Sequence, residues 1–466
     1  MKIPLRKGAT PLPAEGDRKK RRSYMDKFFK ISERGSSVRT EIVGGVTTFF
    51  AMAYIIFVNP QMLSQTGMDY SGVLLATCIS AAIGCLLTAL LANAPFAQAP
   101  GMGLNAFFTF TVCFGMGYTW QEALAIVLLS GILFLIIAVS PLRSKIISSI
   151  PGFLKSAISA GIGLFIAFIG ILNVSLVGFG GGVPALQFLV DDGAGNMVAN
   201  TAGILAIIGL LITAILMAYK VKGAIVIGII VTAIIGFPMG ETHLPESITM
   251  AGISLGSVAF KMDFGGVMAK GILPLITAVI SFTLVDCFDT VGTLIGTAKN
   301  AGMTDKHGNL PGGDRALIAD AVATCCGACL GTSTVTTFVE SSTGISEGAR
   351  TGLHSIVVGV LFLLACLLAP VAGIIPSAAT APALIIVGVL MLKGAVEVNW
   401  SDFEEACPAF LTIAMMPFAY SISDGIGFGF ISYSIIKLAR GKAKDVPVLV
   451  YIISVLFIAK YILTSV

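Results

Sequence analysis

Asp286 and Asp289 lie within residues 281–297, a run otherwise apolar enough to span a bilayer. On a helix, positions 286, 289, 290 and 293 share one face, because residues three and four apart are neighbours. That face carries Asp286, Asp289, Thr290 and Thr293. An ionisable side chain at membrane depth costs roughly 2.5–3.5 kcal/mol on insertion scales. Two acids one turn apart also repel each other when both are charged. A pair kept at that cost points to a path for a solute or a proton. The plainer alternative is a hydrogen-bonded pair that only locks helix packing.

Two further stretches add candidates. Asn105 falls in Pro95–Phe108, and Phe338 and Glu340 fall in Gly331–Gly344. Carboxylates accept hydrogen bonds from N–H groups, asparagine offers both a donor and an acceptor, and an aromatic face stacks on a planar ring. Asp289, Glu340, Phe338, Asn105 and Thr293 therefore suit a flat, polar-edged, mostly neutral heterocycle better than a bare ion or a lipid. One acid could hold the solute while another carries a coupling proton, and the candidates for that proton are Asp286, Asp289 and Glu340.

The elements that position these residues are membrane helices. Hydrophobic residues make up 56% of the chain and charged residues 12%, and the mean hydropathy is +0.94. Apolar runs of about 20 residues, the length a spanning helix needs, recur after residue 40. This composition excludes an ordinary soluble domain and defines an all-α polytopic membrane protein. Spans are expected at about 41–58 (closing at Asn59-Pro60), 72–92, 121–140, 152–174, 201–219 and 223–240. Later ones follow at about 268–297, 316–330, 351–371, 380–396, 408–421 and 423–439. The stretches around Asn105 and Glu340 interrupt this pattern. The first has two prolines and two glycines between Pro95 and Gly103, and neither residue type sustains a helix. The second is dense in β-branched and hydroxyl residues. Each is read as an extended piece leading into a half-helix, allowed at membrane depth only where protein or a cavity covers the backbone.

The order span, span, break, then four spans occurs in residues 40–240 and again in 264–440. Each half thus has about seven segments with the break in its third, so the breaks fall in segments 3 and 10. An odd number forces the halves into opposite orientations, the inverted repeat of many transporters, whose sites lie near the midplane where discontinuous segments meet. The stretch 441–466 adds one more apolar segment that either crosses the membrane or lies at its surface.

Residues 1–39 hold twelve Lys/Arg against four acids. Beside a membrane domain such a tail serves topology and anionic headgroups rather than nucleic acid, and it places the N-terminus in the cytoplasm. Disorder is expected to about Ser23. A short amphipathic helix is expected over 26–38, with Phe28, Phe29 and Ile31 facing lipid. No cleavable signal peptide is read. The nine cysteines read as small buried apolar residues, including Cys326-Gly-Ala-Cys329, which lacks a second pair or clustered histidines. Asp320 is placed near a cytoplasmic helix end, Glu347 and Arg350 as a local ion pair, and Asp424 and Glu405 at the interface. No metal cluster, phosphate loop or nucleophile–base arrangement is present, so neither an enzyme nor an ATP-driven pump is indicated, and no cofactor beyond a proton gradient is expected.

At these residues the sequence resembles the AzgA-like purine permeases, a branch of the nucleobase–ascorbate transporter superfamily. The resemblance runs from Phe28 to about Lys444. It is carried by Gly45–Pro60, Ala99-Pro-Gly-Met-Gly-Leu-Asn-Ala-Phe-Phe108, Asp286-Cys-Phe-Asp-Thr-Val-Gly-Thr-Leu294 and Gly331–Gly344. It implies fourteen segments in two inverted sevens, divided into core and gate domains, and proton-coupled import of hypoxanthine, guanine or adenine across the plasma membrane. It further implies that Asp289 (with Asp286 a turn earlier) and Glu340 bind the base, that Phe338 stacks on it, and that Asn105 is the polar residue of the third-segment break. Relatives suggest a homodimer. Where the uracil and xanthine branches often carry a histidine one turn past the binding carboxylate, this chain has Thr293, so coupling must rest on the acids. Another small solute or an anion on the same fold is the alternative, disfavoured by acids without a basic residue near the breaks.

Overall fold

The computed structural model describes residues 24–141, 149–180, 183–191, 197–244, 253–300, 302–303, 310 and 312–464. The tail expected to be disordered lies outside these residues. The first half contains α1 (Tyr24–Phe29), α2 (Val38–Met52), α3 (Ile55–Leu63), α4 (Tyr70–Leu87), β1 (Gln98–Pro100), α5 (Met102–Ala106), α6 (Trp120–Val139) and α7 (Gly152–Asn173). Strands β2 (Val177–Gly180), β3 (Val183–Leu186), β4 (Leu189–Asp191) and β5 (Met197–Ala199) precede α8 (Thr201–Ala218) and α9 (Ala224–Gly236). The second half contains α10 (Phe264–Ala269), α11 (Ile272–Asn300), α12 (Gly313–Leu330), β6 (Val335–Thr337), α13 (Ser341–Ser346), α14 (Gly352–Ala365) and α15 (Ala369–Ala372). It ends in α16 (Ser377–Met391), α17 (Phe403–Phe418), α18 (Ile422–Ala439) and α19 (Val448–Thr464). Among the described residues, 8 helices are long and apolar enough to cross a membrane, and three shorter apolar ones accompany them.

The helices sort into two packed groups. In one, α14 lies on α2 and α4, α12 on α4 and α6, and α11 on α6. In the other, α16 lies on α7, α8 and α9, and α17 on α7 and α18. Small residues allow the close approaches, as expected where apolar surface alone does not drive helices together. A Cβ at Gly388 of α16 would strike the carbonyl of Gly163 on α7. Helix starts are fixed by side chains: Thr119 and Glu122 form a reciprocal capping box at α6, and Ser37 caps α2.

The two extended breaks meet. Strand β1 pairs antiparallel with β6, placing Gln98 opposite Thr337, Ala99 opposite Thr336 and Pro100 opposite Val335. The pairing continues on both sides, with Gly101 N donating to Thr334 O at 3.0 Å and Phe338 N to Ala97 O at 3.0 Å. Each break thereby supplies the backbone partners that lipid cannot. Beyond Pro100 the chain turns into α5, which continues as a π-helix over Phe107–Gly115.

Several sequence expectations are corrected. The first span does not close at Asn59-Pro60: Pro60 lies inside α3, and the buried Asn59 donates to Thr77 at 2.7 Å and Thr332 at 2.9 Å. Phe28 is exposed, but Phe29 and Ile31 are buried with Ala89 and Leu353, so the surface helix is shorter than expected and half turned inward. Glu347 pairs with Lys222 at 2.5 Å, while Arg350 donates to the carbonyls of Ile345 and Ala349. The loop over 175–200 contains two small hairpins, β2–β3 and β4–β5. Residues 448–464 form a helix, α19, that packs on α18 and touches α11.

Candidate functional site

The paired breaks are surrounded by the acids of α11 and α12. Asp286 is buried, and its Oδ2 accepts from Thr324 Oγ1 at 3.0 Å while its Oδ1 has no partner. Thr290, one turn on, shares a 2.8 Å hydrogen bond with Thr336 of β6. Asp289 and Thr293 are partly exposed, and beside them Gly292 faces open space. Helical spacing thus puts Asp286 and Thr290 against the strand pair, and Asp289 and Thr293 toward an opening.

Glu340 is also partly exposed, at the start of α13. Its Oε1 accepts from Tyr54 Oη at 2.7 Å. Phe338 is buried, with its ring 6.5 Å from that of Tyr54 and tilted by 44°. Asn105 is buried on α5, its Oδ1 accepts from Ser333, and its Nδ2 has no partner. The structure therefore brings Glu340, Tyr54 and Phe338 together, with Asp289 partly exposed on α11, which packs on β6, and with Asn105 and Asp286 held by residues of the second break and α12.

Sequence reasoning gave too little weight to three residues. Asp320 is not at a helix end but fully buried on α12, where its Oδ1 accepts from Thr337 at 2.9 Å and Gln98 Nε2 at 3.2 Å. The insertion cost that singled out Asp286 applies equally to this acid, and that was the signal available. Gln98 sits in the first break and reaches across it to α12. Tyr54 gave no signal, since its link to Glu340 joins positions 286 residues apart.

The hydrogen bonds that reach Asp286, Asp320 and Glu340 come from hydroxyls and one amide. Carboxylates held in this way can accept N–H groups from a solute or hold a proton themselves. Val339, just before α13, and Ser342 and Ser346, on it, are exposed, and Glu347 beyond its end pairs with Lys222. Phe110 and Phe165 pack edge-on against Tyr420 at 5.6 Å and 5.5 Å, and Ile422 N donates to Thr111 Oγ1 at 3.2 Å.

Paired breaks and buried acids among membrane-length helices fit a membrane transporter, and the fold is shared with one. The transmembrane domain of a cyanobacterium bicarbonate transporter, BicA, superposes with a TM-score of 0.62 at 13% identity, covering 83% of this chain and 97% of that one. The chain belongs to the Permease family, whose model matches residues 39–428. Among curated relatives, the adenine permease AdeP of Escherichia coli is 41% identical over 438 residues, 94% of this chain and 96% of that protein. The guanine/hypoxanthine permease PbuG of Bacillus subtilis is 42% identical over 454 residues, 94% of this chain and 99% of that protein. The family resemblance carried by the motifs is thus borne out, and the chain is a permease rather than an enzyme.

Proposed function

We propose that this permease imports purine nucleobases, hypoxanthine/guanine or adenine, by proton symport across the plasma membrane, with its N-terminus in the cytoplasm. The observation that carries this reading is the partly exposed Glu340, bonded to Tyr54 beside Phe338, with the partly exposed Asp289 on the helix that packs on the same break. A purine offers ring N–H groups to carboxylates and a flat face to an aromatic side chain. In this reading Asp289 and Glu340 hold the base, Asn105 and Thr293 line its edge, and the coupling proton resides on Asp286, Asp289 or Glu340. The relatives named for adenine and for guanine/hypoxanthine support the substrate class.

The repeat and the two groups of helices fit the same scheme. Residues 40–240 and 264–440 act as inverted sevens, the group holding both breaks is the core, and the group around α7 and α16 is the gate. Alternating access then moves one group against the other. The opening beside Glu347 faces the cytoplasm, the side on which basic residues accumulate. An anion is the second reading, favoured by the fold shared with a bicarbonate transporter. Hydroxyl-bonded acids at the breaks oppose it, because an anion site needs cationic or N–H donors.

Uptake of radiolabelled hypoxanthine, guanine and adenine, in cells lacking their own purine permeases, tests the proposal. Saturable uptake of at least one base, abolished by a protonophore, is the expected result. Uptake that persists undiminished with the protonophore would remove proton coupling, and no purine uptake by protein present in the membrane would overturn the substrate class.

A further inference from the structure

A cavity of about 510 Å³ lies beside the packing of Tyr420 on Phe110 and Phe165. Its walls come from both helix groups and from α19: Thr111 and Met116 follow α5, Pro274 belongs to α11, Tyr420 and Asp424 flank the start of α18, and Lys460 belongs to α19. The volume lies within the roughly 300–1,000 Å³ of small-ligand sites.

Two features suggest a site rather than a packing gap. Tyr420 has φ +52°, the left-handed region. A non-glycine residue there costs roughly 1–2 kcal/mol, and helix ends of this kind ordinarily use glycine. A large ring is nevertheless held at this place, against Phe110 and Phe165 on one side and the cavity on the other. The second feature is an ion pair in the wall, Lys460 Nζ to Asp424 Oδ1 at 2.8 Å, with the lysine side chain only 11% exposed and the aspartate 26%. The pair offers an acceptor and a cationic donor side by side, next to an aromatic ring, which matches the alternating N–H and lone-pair edge of a heterocyclic base.

We infer that this cavity is an outer subsite for the transported base, occupied before the base reaches the carboxylates and completed by α19. The inference rests on the purine reading above. On this inference the Phe110–Phe165–Tyr420 packing is the partition between the two sites, and Tyr420 also lines the outer one.

Initial-rate uptake of radiolabelled hypoxanthine, guanine and adenine by wild type, Tyr420→Gly and Tyr420→Phe, at matched membrane abundance, tests the idea. Glycine suits the backbone at 420, so the variant should fold, and removal of the ring should raise KM for the transported base about tenfold, or ~1.4 kcal/mol, with Vmax little changed. Tyr420→Phe should restore KM. The double variant Asp424→Asn/Lys460→Met, which leaves no lone buried charge, should raise KM in the same way. An unchanged KM in both Tyr420→Gly and the double variant would overturn the subsite. So would a fall in Vmax at constant KM, which would mean that the ring only seals the partition. A wild type that carries no base defeats the purine reading and this inference together, whereas wild-type uptake with KM unmoved in the variants defeats this inference alone.

Discussion

The two breaks perform one backbone task in different surroundings. After β1 the chain runs into a half-helix of fourteen residues, Met102–Gly115, most of it buried, and its polar residue Asn105 is bonded to Ser333 of the other break. After β6 it passes the exposed Val339 and the partly exposed Glu340 into the six-residue α13, exposed at Ser342 and Ser346. The first break is buried along its length, whereas the second packs on α2, where Gly344 N donates to Thr48 at 3.1 Å, and leaves its other side exposed. The difference leaves the first break internal and the second with a carboxylate at a partly exposed place.

The largest effect should follow from neutralising the exposed acids. Glu340→Gln or Asp289→Asn should lower uptake by about two orders of magnitude, the equivalent of about 3 kcal/mol from a lost charge-assisted contact. Membrane abundance should be unchanged, as measured by quantitative immunoblotting beside transport. Normal transport by both variants would mean that the opening is not the site. Asn105→Ala should act in two currencies. Ser333 loses its acceptor, so thermal unfolding in detergent should show a loss of about 1–3 kcal/mol, with a smaller fall in uptake than Glu340→Gln causes. An equal fall in uptake with unaltered stability would erase the distinction between the breaks. The smallest effect is expected at the rim of the opening. Glu347→Gln breaks the Lys222 pair, whose side chains are 59% and 35% exposed. Such pairs contribute about 0–1 kcal/mol, so uptake and melting should barely move, and a strong loss of transport would make the pair part of a closing gate.

Much of this arrangement could be read from the sequence because it follows from local chemistry. Two prolines and two glycines before Asn105, and a run of hydroxyl and β-branched residues before Glu340, exclude continuous helix and placed both breaks within a few residues. The acid spacing on α11 likewise gave the face carrying Asp286 and Asp289, although not its division into a buried and a partly exposed acid. What escaped depends on contacts distant in sequence. Asp320 looks peripheral until Gln98 and Thr337 are brought to it. Phe29 and Ile31 look lipid-facing until Ala89 and Leu353 cover them. Pro60 looks like a terminator, yet it sits inside α3 within a packed interior, where neighbouring groups compensate for the lost N–H. Glu347 and Arg350, three apart, look like partners until Lys222 arrives from the other half.

The strand pair also constrains how the protein is made. Gln98 and Thr337 are 239 residues apart, so β1 leaves the ribosome long before its partner exists. Until then its polar backbone can be covered only by water, by other segments or by the insertion machinery, since lipid offers no hydrogen bonds. Contacts so distant in sequence form late. Biogenesis therefore completes the candidate site among its last steps, and a chain arrested within its first half holds an open strand edge in the membrane, a natural mark for quality-control proteases.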